Sequence, residues 1–288
     1  MKNYYLLTKP GIVYGNALSA VGGFFLGAAG VVDFGVFAAM LFGISLVIAS
    51  ACVFNNYLDQ GIDAKMLRTK GRALVSGEVS GTAALVFGTI LGVIGFSLLY
   101  KYTTYWALYL AAIGWFVYVV LYGVSKRRSV HGTLVGSISG SMPIVVGYTA
   151  ATNQFDLTAW LLFAIMTAWQ MPHFYAISLF RRNDYAQAEL PVLAVVKSRL
   201  VVKQYIAVYI ILFWLACVGL WAVGGAGFVF IGAMSVISLL WARLALQGLR
   251  SRTASAQADE TWARKVFGQS LRALLVLCVV ISVEFVLP

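Results

Sequence analysis

The chain reads Asn55-Asn56-Tyr57-Leu58-Asp59-Gln60-Gly61-Ile62-Asp63 where a long apolar segment ends and a basic loop begins. Residues four apart on a helix differ by only about 40° in direction, so Asn55, Asp59 and Asp63 are predicted to share one face. Four bases follow at once: Lys65, Arg68, Lys70 and Arg72. Carboxylates hold hard cations and bases hold phosphate, so the stretch predicts a metal–diphosphate site at a membrane surface. A solvated helix end of mixed charge is the alternative.

The composition excludes an ordinary soluble domain. Of the 288 residues, 61% are hydrophobic and only 11% are charged, and the mean hydropathy is +0.87. Apolar segments of roughly 18 to 24 residues, each long enough to cross a hydrocarbon core, recur along the chain. We place nine spans, at 11–30, 34–54, 82–100, 104–124, 133–151, 157–179, 204–223, 226–246 and 267–287.

These segments predict an all-α polytopic membrane protein, a bundle of nine transmembrane helices that forms a single domain over residues 1–288. Lys2 and Lys9 before the first apolar run resemble the start of a secretory signal. A second apolar run follows closely, however, which favours an uncleaved first helix.

The distribution of basic residues predicts the orientation. With these spans, all of the 21 Lys and Arg except Lys101 lie at the N-terminus, in the loops after spans 2, 4, 6 and 8, or at the flanking helix ends. The positive-inside rule then places the N-terminus and these loops in the cytoplasm, and Pro288 outside. The net charge of +11 mostly reflects this topology. A basic face suits membrane lipid or an anionic substrate, and no nucleic-acid motif accompanies it, so nucleic acid is not an expected partner.

Further polar candidates lie at the predicted inner ends of spans 4 and 6. Lys126-Arg127-Arg128 and Arg181-Arg182 are either topogenic charges or, in part, a clamp for diphosphate. Arg68 and Arg72 are the best clamp candidates because they follow the acidic face within three turns. Asp184 offers a further carboxylate to the metal, but position 188 is Ala, so this second acidic motif is degenerate.

Span 6 contains Trp169-Gln170-Met171-Pro172-His173-Phe174-Tyr175. Pro172 is predicted to kink the helix, which a membrane helix tolerates where neighbours satisfy the freed carbonyl. His173 then lies about two turns from the cytoplasmic end. It is either a hydrogen-bonded structural residue or a residue that holds a haem iron or propionate.

These motifs resemble those of the UbiA-type intramembrane prenyltransferases, and within that superfamily the chain is similar to the protohaem IX farnesyltransferases. The acidic motif Asn55-x-x-x-Asp59-x-x-x-Asp63 indicates a prenyltransferase, and two other segments, Trp169-x-x-Pro172-His173-Phe174 and Pro191-Val192-Leu193, indicate the haem branch. The likeness extends over nearly the whole chain. It also includes Thr8-Lys9-Pro10-Gly11-Ile12, Met66-x-Arg68-Thr69-x-x-Arg72 and Asp184-Tyr185.

The resemblance implies Mg²⁺-dependent transfer of a farnesyl group from farnesyl diphosphate to the 2-vinyl group of haem b, giving haem O and diphosphate. Haem b is then a substrate, and the product is expected to serve the assembly of a haem–copper oxidase. The implied location is the bacterial cytoplasmic (inner) membrane, with a multi-pass chain and an active site facing the cytoplasm.

The resemblance also implies roles for individual residues. Asn55, Asp59 and Asp63 are the expected catalytic metal ligands, with Asp184 as a further one. The remaining candidates would bind the substrates. The diphosphate would be bound by Arg68, Arg72, Lys126 and Arg181, and the haem by His173 and Trp169.

Three alternatives remain open at this point. In the first alternative, the chain is a prenyltransferase whose acceptor is an aromatic quinone precursor. The chain is a transporter in the second, although the spans carry few charges (Arg243, Arg272 and Glu284) and transporters place theirs near the midplane. It is a non-catalytic haem-binding scaffold in the third, which would not require Asp59 and Asp63.

Overall fold

The computed structural model describes residues 1–251 and 255–283, and throughout these ranges all regular structure is helical. The predicted outer terminus at Pro288, the intramembrane Glu284 and the end of the ninth span lie outside the described residues. In chain order the helices are α1 (Lys2–Leu7), α2 (Pro10–Ala28), α3 (Phe34–Leu58), α4 (Gln60–Asp63), α5 (Gly81–Tyr102), α6 (Tyr105–Phe116), a π-helical segment (Val117–Tyr122), α7 (Gly123–Arg128), α8 (Gly132–Thr152), α9 (Leu157–Phe180), α10 (Arg182–Gln187), α11 (Leu193–Val196), α12 (Arg199–Ala222), α13 (Phe228–Arg250) and α14 (Ala256–Val283).

Each predicted span corresponds to a long helix, the fourth of them to the continuous helical run Tyr105–Arg128. Eight helices of the described chain are long and apolar enough to cross a membrane, so the prediction of an all-α membrane protein is confirmed. The count of nine spans is not confirmed, because α9 is not among the eight. Its second half contains Gln170 and His173, which lower its hydropathy.

The last long helix was predicted least well. It begins at Ala256 rather than at 267, because its first turns are too polar to be recognised by hydropathy. Those turns carry Asp259, whose carboxylate pairs with bases of α12. α14 also packs on both α2 and α9 and so closes the bundle.

Glycines allow a close helix contact between α2 and α8. A Cβ atom on Gly23 would lie 1.9 Å from the carbonyl oxygen of Ile144, and one on Gly147 would lie 2.0 Å from that of Ala20. Any side chain at either position would force the backbones apart, so here the small-residue pattern serves packing.

The acidic stretch follows the end of α3 but is not one uninterrupted helix as predicted. α3 ends at Leu58, Asp59 has φ −93° and ψ 2°, and the single turn α4 resumes at Gln60. Backbone hydrogen bonds nevertheless continue across the junction, from Asp59 N to Asn55 O at 3.0 Å and from Asp63 N to Asp59 O at 2.8 Å. The predicted four-residue spacing therefore survives, with a change of direction at Asp59.

The basic loop after α4 folds back on the bundle. Leu74 and Val79 pack with Leu7 and Val53. Met66 packs with Leu190, in the loop that follows α10. The Thr69 hydroxyl donates to the backbone oxygen of Asp63 at 2.9 Å. These contacts hold the loop over the end of α3.

Candidate functional site

Asp59 and Asp63 are buried at the end of α3, with 7% and 3% of their surfaces exposed. Lys126 donates to Asp59 Oδ2, and Arg127 lies 3.2 Å from Asp59 Oδ1. Arg72 donates to Asp63 Oδ2. Burying a carboxylate is costly unless cations and hydrogen-bond donors compensate for the lost water, and here each carboxylate has such a partner.

The partners of Asp59 come from the helix that follows the π-helical segment Val117–Tyr122. A π-helical segment alters the register of the residues after it and is frequent at functional sites. Arg127 also donates to the backbone oxygen of Leu58, and the Lys126 ammonium lies 4.9 Å from the centre of the Tyr122 ring. α7 is thus attached directly to the end of α3. Arg127 was considered only as part of a basic cluster in the sequence, and its contact with Asp59 was missed.

Arg72 joins the loop to two further segments. Its guanidinium donates to Asn56 Oδ1 at 3.2 Å, and Asn56 Nδ2 donates to the Leu7 carbonyl at 2.8 Å. Arg72 therefore contacts the acidic stretch directly, and its predicted role in binding diphosphate stays a prediction. The other clamp candidate of this loop, Arg68, is exposed. Burial raises the pKa of Tyr185, and the positive charge of Arg68 acts in the opposite direction.

Lys9 joins this cluster from the N-terminal side and was not predicted as a site residue. Its Nζ donates to Asn55 Oδ1 at 2.8 Å. Burial lowers the pKa of Lys9 to about 8; the charges of Arg72 and Lys126 act in the same direction, and that of Asp59 opposes them. Lys9 also has φ 53°, in the left-handed region. The signal that would have found it is the segment Thr8-Lys9-Pro10, which carries part of the family resemblance.

Asp184 and Arg181 form a separate pair. Arg181 Nη1 lies 3.7 Å from Asp184 Oδ2, and both side chains are more exposed than those of Asp59 and Asp63. Over residues 1–251 and 255–283, no three His, Cys, Asp or Glu side chains form a ready-made metal site. The metal set predicted from the sequence, Asn55, Asp59, Asp63 and Asp184, therefore stays a prediction, and Asp184 pairs with Arg181 in this structure.

The donors that are present still fit one type of metal. Mg²⁺ typically uses one or two carboxylates, keeps several waters and takes its remaining oxygens from substrate phosphates. Asp59 and Asp63 supply two carboxylates in succession, and Lys126 lies within electrostatic range of both. This set suits Mg²⁺ that binds together with a diphosphate.

His173 lies on α9, apart from these residues, and its side chain contacts α14. Its Nδ1 is 2.8 Å from the Ser270 hydroxyl, and its ring stacks on Trp169 with 5.1 Å between centroids and lies 4.8 Å from that of Phe267. Trp169 Nε1 in turn donates to the backbone oxygen of Ser270 at 2.7 Å. The two predicted haem-binding residues are therefore in contact with each other, and each has a hydrogen-bond partner in this structure.

Sequence comparison identifies a matching protein family and similar proteins from bacteria. A model of the UbiA prenyltransferase family matches residues 16–270. Protoheme IX farnesyltransferase of Edwardsiella ictaluri is 48% identical over 286 residues, with 99% of this chain and 95% of the relative covered. The protein of the same name from Serratia proteamaculans is 47% identical, with the same shares covered.

Solved structures share the fold at low sequence identity. A structure of a digeranylgeranylglyceryl phosphate synthase superposes with a TM-score of 0.80 at 15% identity, covering 99% of this chain and 98% of the other. A UbiA homologue from Archaeoglobus fulgidus, solved with DMAPP and Mg²⁺, gives 0.69 at 12% identity, covering 95% and 99%. The predicted helical architecture is therefore a known one.

Proposed function

The chain belongs to the UbiA prenyltransferase family, and we propose that it transfers a farnesyl group from farnesyl diphosphate to the 2-vinyl group of haem b. One observation carries the proposal: two buried carboxylates lie among Lys126, Arg127 and Arg72 at the end of α3. The names of the relatives that cover the chain almost end to end support haem b as the acceptor. Haem b, farnesyl diphosphate and one water then give haem O and diphosphate.

The chemical demand is departure of diphosphate from an allylic carbon. Asp59 and Asp63 would hold Mg²⁺, with Asp184 as a further ligand. When bound, the metal would supply positive charge to the leaving diphosphate. Lys126, Arg127 and Arg72 would bind the phosphate oxygens, with Arg68 and Arg181 at the exposed edge. Such fixed charges aimed at developing negative charge usually supply the largest share of catalysis.

The acceptor then completes the reaction. The vinyl group attacks C1 of the farnesyl cation, and water adds to the cation left on the acceptor, which gives a hydroxyethylfarnesyl group. The apolar interior of the bundle protects the farnesyl cation from early capture by water.

The direct test is an assay of the purified chain with Mg²⁺, farnesyl diphosphate and haem b, followed by chromatography. We expect a more hydrophobic haem and release of diphosphate. A parallel assay with an aromatic quinone precursor tests the other acceptor. Prenylation of that precursor, with haem b left unchanged, would overturn the proposed acceptor while keeping the enzyme class.

For haem, we propose that His173 and Trp169 orient the ring system. His173→Ala should weaken haem affinity about tenfold, the effect of one lost interaction of 1.4 kcal/mol, while pyrophosphate binding is kept. Ser270→Ala is the matched control, because it removes the partner of His173 Nδ1 and leaves the imidazole. Unchanged haem affinity and spectrum in His173→Ala would return this residue to a purely structural role.

The proposed location is the cytoplasmic membrane of a bacterium, with the site on the cytoplasmic side. The distribution of Lys and Arg motivates it. Single cysteines at Gly71 and Ser129 should react with impermeant reagents from the cytoplasmic side, and one at Asn153 from outside. Cys52, Cys217 and Cys278 are buried and would be replaced first. Labelling of position 71 from outside intact cells would contradict the topology.

A further inference from the structure

The side-chain amide of Asn55 has a defined orientation in this structure. Asn55 lies on the last turn of α3 and is only 2% exposed. Lys9 Nζ approaches one of its two amide atoms at 2.8 Å. A lysine ammonium group only donates hydrogen bonds, so that atom must be the amide oxygen. The nitrogen, Nδ2, is therefore the atom left for any other partner.

That nitrogen has no partner among residues 1–251 and 255–283, which the structure describes. Asn55 Nδ2 is buried and makes no hydrogen bond, whereas buried polar atoms in native proteins are almost always paired. An amide NH₂ group donates and cannot coordinate a cation. The available atom of Asn55 thus suits an anionic oxygen, and its oxygen would have to leave Lys9 before it could bind a metal.

The surroundings of Asn55 carry an excess of positive charge. Lys9, Arg72, Lys126 and Arg127 face the two carboxylates Asp59 and Asp63. Lys9 is also held in the left-handed region, with φ 53°, a conformation that non-glycine residues adopt rarely and that clusters at functional sites. Both observations favour a role for Lys9 beyond helix packing.

We infer that Lys9 is a positioning residue, which holds the Asn55 amide oxygen so that Asn55 Nδ2 donates to an oxygen of the substrate diphosphate. Asn55 then binds the leaving group, and its predicted role as a metal ligand is replaced. The inference rests on the proposed function, because it assigns a partner to the diphosphate of that reaction.

The test measures inorganic pyrophosphate binding to the full chain in detergent by calorimetry, at low and at saturating Mg²⁺. Asn55→Leu and Lys9→Met should each weaken binding about tenfold, the effect of one hydrogen bond to a charged group. Excess Mg²⁺ should not restore it. If Asn55 were a metal ligand, excess Mg²⁺ would restore the affinity of Asn55→Leu, and the inference would fail.

Two further variants separate positioning from a general structural effect. Lys9→Arg keeps a charged donor and should recover most of the affinity that Lys9→Met loses. Lys101→Met is the matched control, since Lys101 lies at the end of α5 away from this site, and it should bind like the wild type. In turnover, Lys9→Met should raise KM for farnesyl diphosphate and leave KM for haem b unchanged. Equal rises in both KM values would contradict the inference.

Failure of the inference and failure of the proposed function give different results. If the wild type binds no pyrophosphate with Mg²⁺, the proposed function itself is wrong. If the wild type binds it and Lys9→Met binds it equally well, only the role of Lys9 is wrong. Thermal melting of each variant identifies any that is unfolded, and Asn55→Leu then tests the donor without altering Lys9.

Discussion

Two groups of buried carboxylates in this protein differ in what surrounds them. Asp59 and Asp63 lie at the end of α3, and Asp259 lies in the first turn of α14, where it is 6% exposed. Lys203 Nζ is 2.6 Å from Asp259 Oδ1, and Arg199 is 3.4 Å from Oδ2. Both groups satisfy the same requirement, that a buried charge be paired.

At Asp259, each carboxylate oxygen has a basic partner. Its two bases come from the first two turns of one helix, α12, and Lys203 also donates to the Ser251 carbonyl at 3.4 Å. The group at Asp59 instead draws cations from three separate segments. It also leaves a buried amide donor, Asn55 Nδ2, without a partner in the part of the chain that the structure describes. A buried ion pair alone therefore does not identify a site. The excess of cations and the unpaired donor are the two features on which we base the proposed anion site.

The largest expected difference between the two groups is in turnover. Asp59→Asn or Asp63→Asn should lower the rate of prenyl transfer roughly 100- to 1,000-fold, as loss of a transition-state contact does elsewhere. Asp259→Asn should keep the rate of the wild type per folded molecule. The measurement is initial rate at equal membrane abundance. Near-normal rates in Asp59→Asn would remove the basis of the proposed site.

The reverse difference is expected in stability. Asp259→Asn leaves the buried Lys203 unpaired and should lower the free energy of unfolding by about 3–5 kcal/mol. The double variant Lys203→Met with Asp259→Leu should regain most of this loss, because no unpaired charge remains. Thermal melting in detergent, with and without each change, is the measurement. If the double variant melts as low as the single one, the pair contributes more than mutual neutralisation.

The smallest effect is expected at Asp184, which resembles neither group. Its pair with Arg181 is long, at 3.7 Å, and partly exposed, so Asp184→Asn should change stability by less than about 1 kcal/mol. As a further metal contact it should still lower activity about tenfold at limiting Mg²⁺, the scale of a supporting metal interaction. Excess Mg²⁺ should restore that activity. Full activity at limiting Mg²⁺ would remove Asp184 from the proposed metal set.

Local patterns in the sequence were sufficient for several features of the fold and the site. Hydropathy located the long helices, because the length of an apolar run is a property of neighbouring residues. The spacing of Asn55, Asp59 and Asp63 located the acidic face, since hydrogen bonds four residues apart continue through the break at Asp59. The same local patterns misplaced the start of α14, whose polar first turns are compensated by residues of α12.

The pairing of side chains across the bundle was decided by tertiary structure. Lys9 and Asn55 are 46 residues apart in the chain, and Lys126 and Asp59 are 67 apart. No local pattern specifies such partners, because helix packing and the π-helical register before α7 determine which bases reach which acids. The sequence by itself determined a membrane helix bundle with an acidic motif at one helix end. Only the fold decided that Lys9 occupies the amide oxygen of Asn55, because that contact depends on how α2 and α3 approach each other.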